Sequence, residues 1–304
     1  MSFTGEVKDE VSKLDFMEAE NISELSAIVN SFYDFNGQIK IITENNSVAR
    51  RVYTLFKEIY HIYPSVSVRK GYNYSHKLLY IVEIKNNTNH ILKSLGITKM
   101  IPDSFIWSDE ELIRAYLRGL FLVSASVNDP KKSRYHMEFN LNNLKFAKFV
   151  QKLLNGFNLN SKVLRRDNRY MVYIKEAEKI SDFLRVIGAV KAVLYYEDIR
   201  IYRDHKNMTN RLNNCEQANV DRVIETANAQ VKDIIFLKEH DAFDLLSDKE
   251  VEAATYRLKY PEASLVELSQ IISLETGNKI TKSGLYHRFN KIKNFAVRIK
   301  DKMK

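Results

Sequence analysis

The chain has one cysteine in 304 residues, Cys215, so it holds neither an internal disulfide framework nor a cysteine-rich zinc site. Glycine and proline are also scarce, at 9 and 4 residues. Each therefore marks a place where the chain turns or approaches a neighbour closely. No apolar run approaches the ~18 residues of a membrane span, and the opening stretch MSFTGEVKDEVSKL has no signal-peptide core. These absences point to a cytoplasmic protein with no membrane association. The phosphate-binding pattern G-x-x-x-x-G-K-[ST], the dinucleotide pattern G-x-G-x-x-G and the zinc pattern H-E-x-x-H are missing as well. The seven histidines are scattered without metal-ligand spacing. No cofactor and no metal site is expected.

What is present is charge, unevenly placed. The net charge is +9 and the pI about 9.3. Between Lys279 and Lys304 there are nine Lys or Arg against a single acid, Asp301, so nearly the whole excess sits at the C-terminal end. A polyanion partner would be met there.

The length suggests two domains. Ser2–Leu14 reads as a helix with Phe3, Val7, Val11 and Leu14 on one stripe. Glu24–Val29 reads as an apolar helix end. Ser31–Phe35 and Gln38–Thr43 follow as strands around an Asn36-Gly37 hairpin turn, whose residues suit positive φ. Asn45-Asn46 opens a helix through Tyr60; strands at Val66–Arg69 and Leu78–Ile84 and a short helix ending at Gly96 come next. The same order then recurs at an offset of 92, which places Gly119 on Ala27 and Gly188 on Gly96. In the second pass a turn lies at Asn128-Asp129-Pro130. Asn142-Asn143 opens a helix, strands fall at Lys162–Arg165 and Tyr170–Ile174, and a helix stops at Gly188. Each half is α-β-β-α-β-β-α. The centre of the pattern is Tyr116–Val127, YLRGLFLVSASV, an apolar helix interrupted by Arg118 and Gly119 and leading into a strand. A glycine there suits two helices whose backbones touch.

Asp198–Asn219 is polar, asparagine-rich and basic, and reads as an inter-domain connection. In Val220–Leu237 the residues Val223, Ile224, Ala227, Val231, Ile234 and Ile235 form an inward stripe. Cys215 reads as a small buried or semi-buried residue. Ser247 caps a helix over Asp248–Lys259, and Ser264, with Glu267 in a capping box, caps LVELSQIISL. After a turn containing Gly277, Thr281 caps a last helix. Three short helices ending in one that is basic on one side describe a helix-turn-helix. Ile280, Leu285, Phe289 and Ile292 would face inward; Lys282, Ser283, Tyr286, His287 and Asn290 would face DNA; Arg288, Lys291 and Lys293 would add phosphate contacts.

These residues carry two resemblances. Tyr116, Leu117, Gly119, Phe121, Ser126 and Val127 resemble the LAGLIDADG motif of homing endonucleases, while Leu122 and Ser124 stand where its two Asp would be. Such enzymes hold divalent metal with one carboxylate from the end of each motif helix. The corresponding positions here are Ser124 and, through the repeat, Phe32, neither acidic; Asp34 has no symmetric partner. The order of SFTGEVKDEVSKL, ELSAIV, TENNSVARRVYTLFKE, RAYLRGLFLVSASVNDP, IGA, NRLNNCEQAN and TKSGLYHR along nearly the whole chain resembles the WhiA family of bacterial sporulation and cell-division regulators. Two departures lie in the first half: Tyr33 stands at the motif end where relatives carry glycine, and Asn36-Gly37 shortens the first hairpin.

The resemblance implies an α+β fold: a pseudo-twofold, LAGLIDADG-like domain of two αββαββα halves plus an all-α helix-turn-helix domain. The expected layout is a docked helix at 1–21 and the LAGLIDADG-like domain at 22–203, with halves 22–97 and 111–190. A linker and helix would occupy 204–240, and the helix-turn-helix 241–304. The implied role is nucleoid-associated and transcriptional, linked to cell division and chromosome segregation. Double-stranded DNA is the partner, and protein partners stay open. Arg69, Lys70, Arg134, Arg165 and Arg166 are candidate DNA contacts on the saddle of the first domain. The alternatives are a metal-dependent DNA endonuclease and a partner-binding scaffold localised to DNA. The sequence leaves the oligomeric state open.

Overall fold

The computed structural model describes residues 2–32, 38–71, 78–132 and 134–303. The chain forms two compact units, Met1–Asp204 and His205–Lys304.

In the first unit, Ser2 caps α1 (Phe3–Val11), whose Phe3, Val7 and Val11 enter the core. The helix α2 (Glu18–Phe32) leads to strand β1 (Ile39–Thr43). Asn45 caps α3 (Asn46–Tyr60), its side chain accepting from Val48 N at 3.0 Å. Strands β2 (Ser65–Lys70) and β3 (Leu78–Ile84) and helix α4 (Thr88–Ser94) complete the first half. Its described strands form an antiparallel sheet in the order β1-β3-β2. The second half runs α5 (Glu110–Ser124), β4 (Ala125–Val127), β5 (Met137–Leu141), α6 (Leu144–Gly156), β6 (Lys162–Arg166), β7 (Arg169–Ile174) and α7 (Ala177–Val186). Its antiparallel sheet has the order β4-β5-β7-β6. Asn143 caps α6, as Asn45 caps α3. Gly96 and Gly188 have φ of 66° and 81° just past α4 and α7, where a residue without Cβ ends a helix at no steric cost.

The two halves meet through α2 and α5. A Cβ built on Gly119 would collide with the Glu24 carbonyl oxygen and lie 2.9 Å from Ala27 Cβ. The backbones are therefore in contact where the repeat offset placed the glycine. Because a backbone carbonyl cannot swing aside, Gly119→Ala is expected to cost at least the ~1–3 kcal/mol typical of overpacking. Urea denaturation of wild type and variant checks this; an unchanged midpoint would mean that the helices do not touch here.

One feature of the first half departs from expectation: Ser31 and Phe32, read as the start of a strand, close α2. The rest of that strand and the Asn36-Gly37 turn lie outside the described residues. Asp34 and Tyr33 do too.

Helix α8 runs from Val190 to Glu239. The Glu10 carboxylate accepts from the amides of Lys191 at 2.7 Å and Ala192 at 3.1 Å, giving α8 an N-terminal cap from α1. The stretch Asp198–Asn219, expected as a connection, is helical throughout. No glycine lies between Gly188 and Gly277 and no proline between Pro130 and Pro261, so nothing breaks the helix; asparagine lowers helix propensity only slightly. Two further expectations change with it. Cys215 is exposed. Of the inward stripe, Ala227 and Ile234 are buried and Val231 is half-buried, but Val223, Ile224 and Ile235 are exposed: the first two precede the part of α8 that enters the core of the second unit, and Ile235 turns to the other side of the helix from Ile234 and Leu237.

The second unit adds α9 (Asp248–Lys259), α10 (Leu265–Thr276) and α11 (Lys282–Lys302). Ser247 and Ser264 each form a capping box, with Glu250 and Glu267. Ile234, Leu237, Leu268, Ile272, Leu285, Phe289 and Ile292 share one core. Gly277, at φ 72°, ends α10, and Ile280 N donates to Ser273 Oγ at 3.0 Å, which fixes the turn into α11.

Candidate nucleic-acid interface

The outward face of α11 is set by its period. Leu285, Phe289, Ile292 and Ala296 are buried, so Ser283 and His287 stand on the opposite side, Tyr286 at its flank, and Lys282 and Lys293 nearer the edge of the buried stripe; all five are exposed. Asn290 lies between them, half-buried. Thr281 Oγ1 accepts from Gly284 N at 3.1 Å, which leaves the first-turn amides of Lys282 and Ser283 at the positive end of the helix dipole. Tyr286 and His287 pack edge to face at 5.9 Å, a polar-tipped pair on this face. The expected inward residue Ile280 is half-buried against the same core.

The basic residues differ in what holds them. Lys291 is 74% exposed, with its Nζ 3.7 Å from Glu250. Arg288 is 20% exposed, pairs with Glu252 at 2.6 Å and donates to the Lys249 carbonyl. Its guanidinium ties α11 to α9, so Arg288 positions the helix. Arg257 does the same from inside. It is 1% exposed and donates to Gln230 Oε1 and to the carbonyls of Tyr260 and Ala263. It also lies 5.4 Å from the Phe289 ring. Burial lowers its pKa. Nothing in its sequence neighbourhood sets Arg257 apart from an ordinary exposed arginine.

On the first unit, strand register sorts the candidate contacts by face. Arg69 pairs with Leu79, and Lys70 with Leu78. Lys70 therefore shares a face with Val66 and Val82, towards the helices, and Arg69 points to the outer, saddle side. In the second sheet Arg165 pairs with Tyr170, on the face of the buried Leu141, while Arg166 pairs with Arg169 on the outer side. Arg134 is exposed on the β4–β5 hairpin. The outer face also carries a network that the sequence did not reveal. Glu138 accepts from Asn140 at 3.1 Å and meets His136 Nε2 at 2.9 Å. Partial burial pushes the Glu138 carboxyl up, but these bonds and the nearby Arg166 outweigh it and hold the pKa below the usual carboxylate value.

At the ends of the motif helices, Ser124 Oγ donates to the Leu120 carbonyl at 2.8 Å, and Phe32 ends α2. Neither supplies a carboxylate. Among the described residues no three His, Cys, Asp or Glu come together as a metal site. No helix among them is long and apolar enough to cross a membrane.

The likeness to known proteins follows this architecture. Residues 18–98 match a family model described as the WhiA N-terminal LAGLIDADG-like domain, residues 113–206 the WhiA LAGLIDADG-like domain, and residues 209–296 the WhiA C-terminal HTH domain. The chain belongs to the WhiA family. It is 41% identical over 312 residues to the "Probable cell division protein WhiA" of Bacillus cytotoxicus, covering 99% of this chain and 98% of that one. It is 38% identical over 316 residues to the protein of the same name from Enterococcus faecalis, covering 99% of each. The crystal structure of full-length DUF199/WhiA from Thermatoga maritima matches with a TM-score of 0.57 and 26% identity, over 98% of this chain and 99% of that one. The N-terminal LAGLIDADG domain of DUF199/WhiA matches with a TM-score of 0.50 and 28% identity, over 62% of this chain and 92% of that one. The WhiA fold thus accounts for both units: two LAGLIDADG-like halves in the first and the helix-turn-helix in the second.

Proposed function

We propose that this WhiA-family protein is a sequence-specific DNA-binding regulator of transcription that acts at the nucleoid in connection with cell division and chromosome segregation. The observation that carries the reading is the outward face of α11. Lys282, Ser283, Tyr286, His287, Asn290 and Lys293 lie together on a helix that follows a fixed turn, as a recognition helix does. In this reading Ser283, Tyr286, His287 and Asn290 meet base edges, and Lys282, Lys291 and Lys293 meet phosphate. Arg288 keeps the helix in register through Glu252. The saddle adds contacts through Arg69, Arg134 and Arg166, with Lys70 and Arg165 reaching only phosphates at its edges.

The protein does not cut its DNA in this reading, because the motif helices end in Phe32 and Ser124. The test is to incubate full-length protein with duplex DNA and Mg²⁺ and recover the DNA for length analysis. Bound, intact DNA is expected; shortened DNA would return the protein to the endonuclease class.

A further inference from the structure

The two halves of the first unit differ in how the last strand of each sheet meets its helix. In the second half β6 is tied to α6. Gln151 Nε2 donates to the Ser161 carbonyl at 3.0 Å, and Asn155 Oδ1 accepts from Ser161 N at 2.7 Å and Ser161 Oγ at 2.9 Å. Val163 is half-buried against the core. The first half lacks these groups. Aligning the caps Asn45 and Asn143 places Tyr53 on Gln151 and Lys57 on Asn155. Aligning the cross-strand pair Val66–Val82 with Val163–Val172 places Pro64, which has no N–H, on Ser161. Tyr60 bonds Ser94 and Ser65 bonds the Glu83 carbonyl, so among the described residues no side-chain hydrogen bond ties α3 to β2. Val66 and Val68 are 50% and 51% exposed. Beside them opens a groove of about 260 Å³, to which Ala49, Tyr53, Val66 and Tyr80 give apolar surface and Arg50 a charge.

We propose that β2 and this groove take an extended, acidic segment of a partner protein, which adds to the sheet as a further strand. The free edge calls for an extended chain. Among the described residues β2 pairs with β3 alone, in unbroken register from Ser65 to Lys70, so a row of backbone N–H and C=O groups has no strand partner. The groove calls for a side chain. It is smaller than the ~300–1,000 Å³ of a small-molecule site, and a strand laid along β2 turns every second side chain towards it. The charge calls for acid. Arg50 lines the groove, Lys57 lies one turn beyond Tyr53, and Lys70 shares the face of Val66. None of the three has an ion-pair partner among the described residues, and no acid lines the groove; Glu58, one turn beyond Thr54, is outnumbered. A second copy of this surface would bring these cations onto their likes. Duplex DNA has neither a strand edge nor a side chain for the groove.

Full-length protein is panned against short randomised peptides in excess duplex DNA, which covers the cations that hold DNA. Peptides with net negative charge and apolar residues at alternate positions are expected. The strongest is then labelled and titrated by fluorescence anisotropy. Arg50→Glu, Lys57→Glu is expected to weaken it at least about tenfold, with unchanged circular dichroism, since both side chains are exposed. N-methylating alternate peptide amides should weaken binding at least about tenfold in one phase and little in the other, because only one set of amides faces β2. Peptides without that pattern, equal affinity for the charge-reversed variant, or equal effects of the two N-methyl phases would overturn the proposal. So would enrichment only when DNA is left out, which would assign the groove to DNA. A wild-type dimer that the peptide splits into monomers would overturn it in favour of a second copy.

Discussion

Exchanging Lys282, Lys291 and Lys293 together for glutamine is expected to weaken binding to duplex DNA and to flatten its salt dependence. Each phosphate that is no longer neutralised takes about 0.9 off the slope of log K against log salt, so three such phosphates take off about 2.7. All three side chains are exposed and none enters the core of the second unit, so the fold should be unchanged by circular dichroism. The Lys291–Glu250 pair is long and its lysine is solvent-exposed, so its loss costs little. Arg288→Gln should behave differently. It breaks the pair with Glu252 and loosens α11 from α9, so a lowered melting temperature accompanies any loss of binding. A triple lysine variant with the wild-type slope would place the DNA elsewhere than on α11.

Glu24→Gln is expected to destabilise the first unit by about 3–5 kcal/mol, the usual cost of removing one partner from a buried ion pair. Glu24 is fully buried in α2 and serves two arginines at once. Arg51 Nε lies 2.8 Å from Oε1, and Arg118 Nε 2.9 Å from Oε2. Arg51 also donates to Asn21 at 2.8 Å, and the Arg118 guanidinium sits 3.3 Å from the centre of the Phe16 ring. The neutral amide leaves two guanidinium groups, 5% and 4% exposed, with Glu20, 4.0 Å from Arg118, as the remaining carboxylate beside them. Burial already lowers the Arg118 pKa, an effect that Glu24 opposes. Urea denaturation measures the loss. Replacing Glu24, Arg51 and Arg118 together by methionine should recover most of it, since well-packed apolar groups replace a buried ionic cluster at little cost. If Glu24→Gln alone is neutral, the cluster is not what joins α2, α3 and α5.

Much of this architecture was legible because it depends on local chemistry. Asn45, Asn143, Ser247, Ser264 and Thr281 open helices by accepting from first-turn amides or forming capping boxes, and Gly96, Gly188 and Gly277 close them at positive φ. The offset of 92 aligned Gly119 with Ala27 as equivalent positions of the repeat, and the glycine suited a close helix pair; in the structure the two positions meet. Arg118 was visible as a charge inside an apolar helix, but its partners Glu24 and Arg51 lie on other elements, and pairing across elements leaves no periodic trace. Lys70 and Arg165 were grouped with Arg69 and Arg166 on charge alone. Only register shows that neighbours along a strand point to opposite faces. The composition of Asp198–Asn219 suggested a connection, and the absence of helix breakers decided the outcome.

Whether α11 reads a particular base sequence is decided by selection from a pool of randomised duplexes. Full-length wild-type protein and a Tyr286→Ala, Asn290→Ala variant are each taken through the same rounds at a fixed, stated salt concentration. Wild type is expected to enrich a common element, and the variant to bind DNA still but with that element relaxed, by about 1–3 kcal/mol for each base it can no longer read. Enrichment of the same element by both proteins, or of none by wild type, would contradict it.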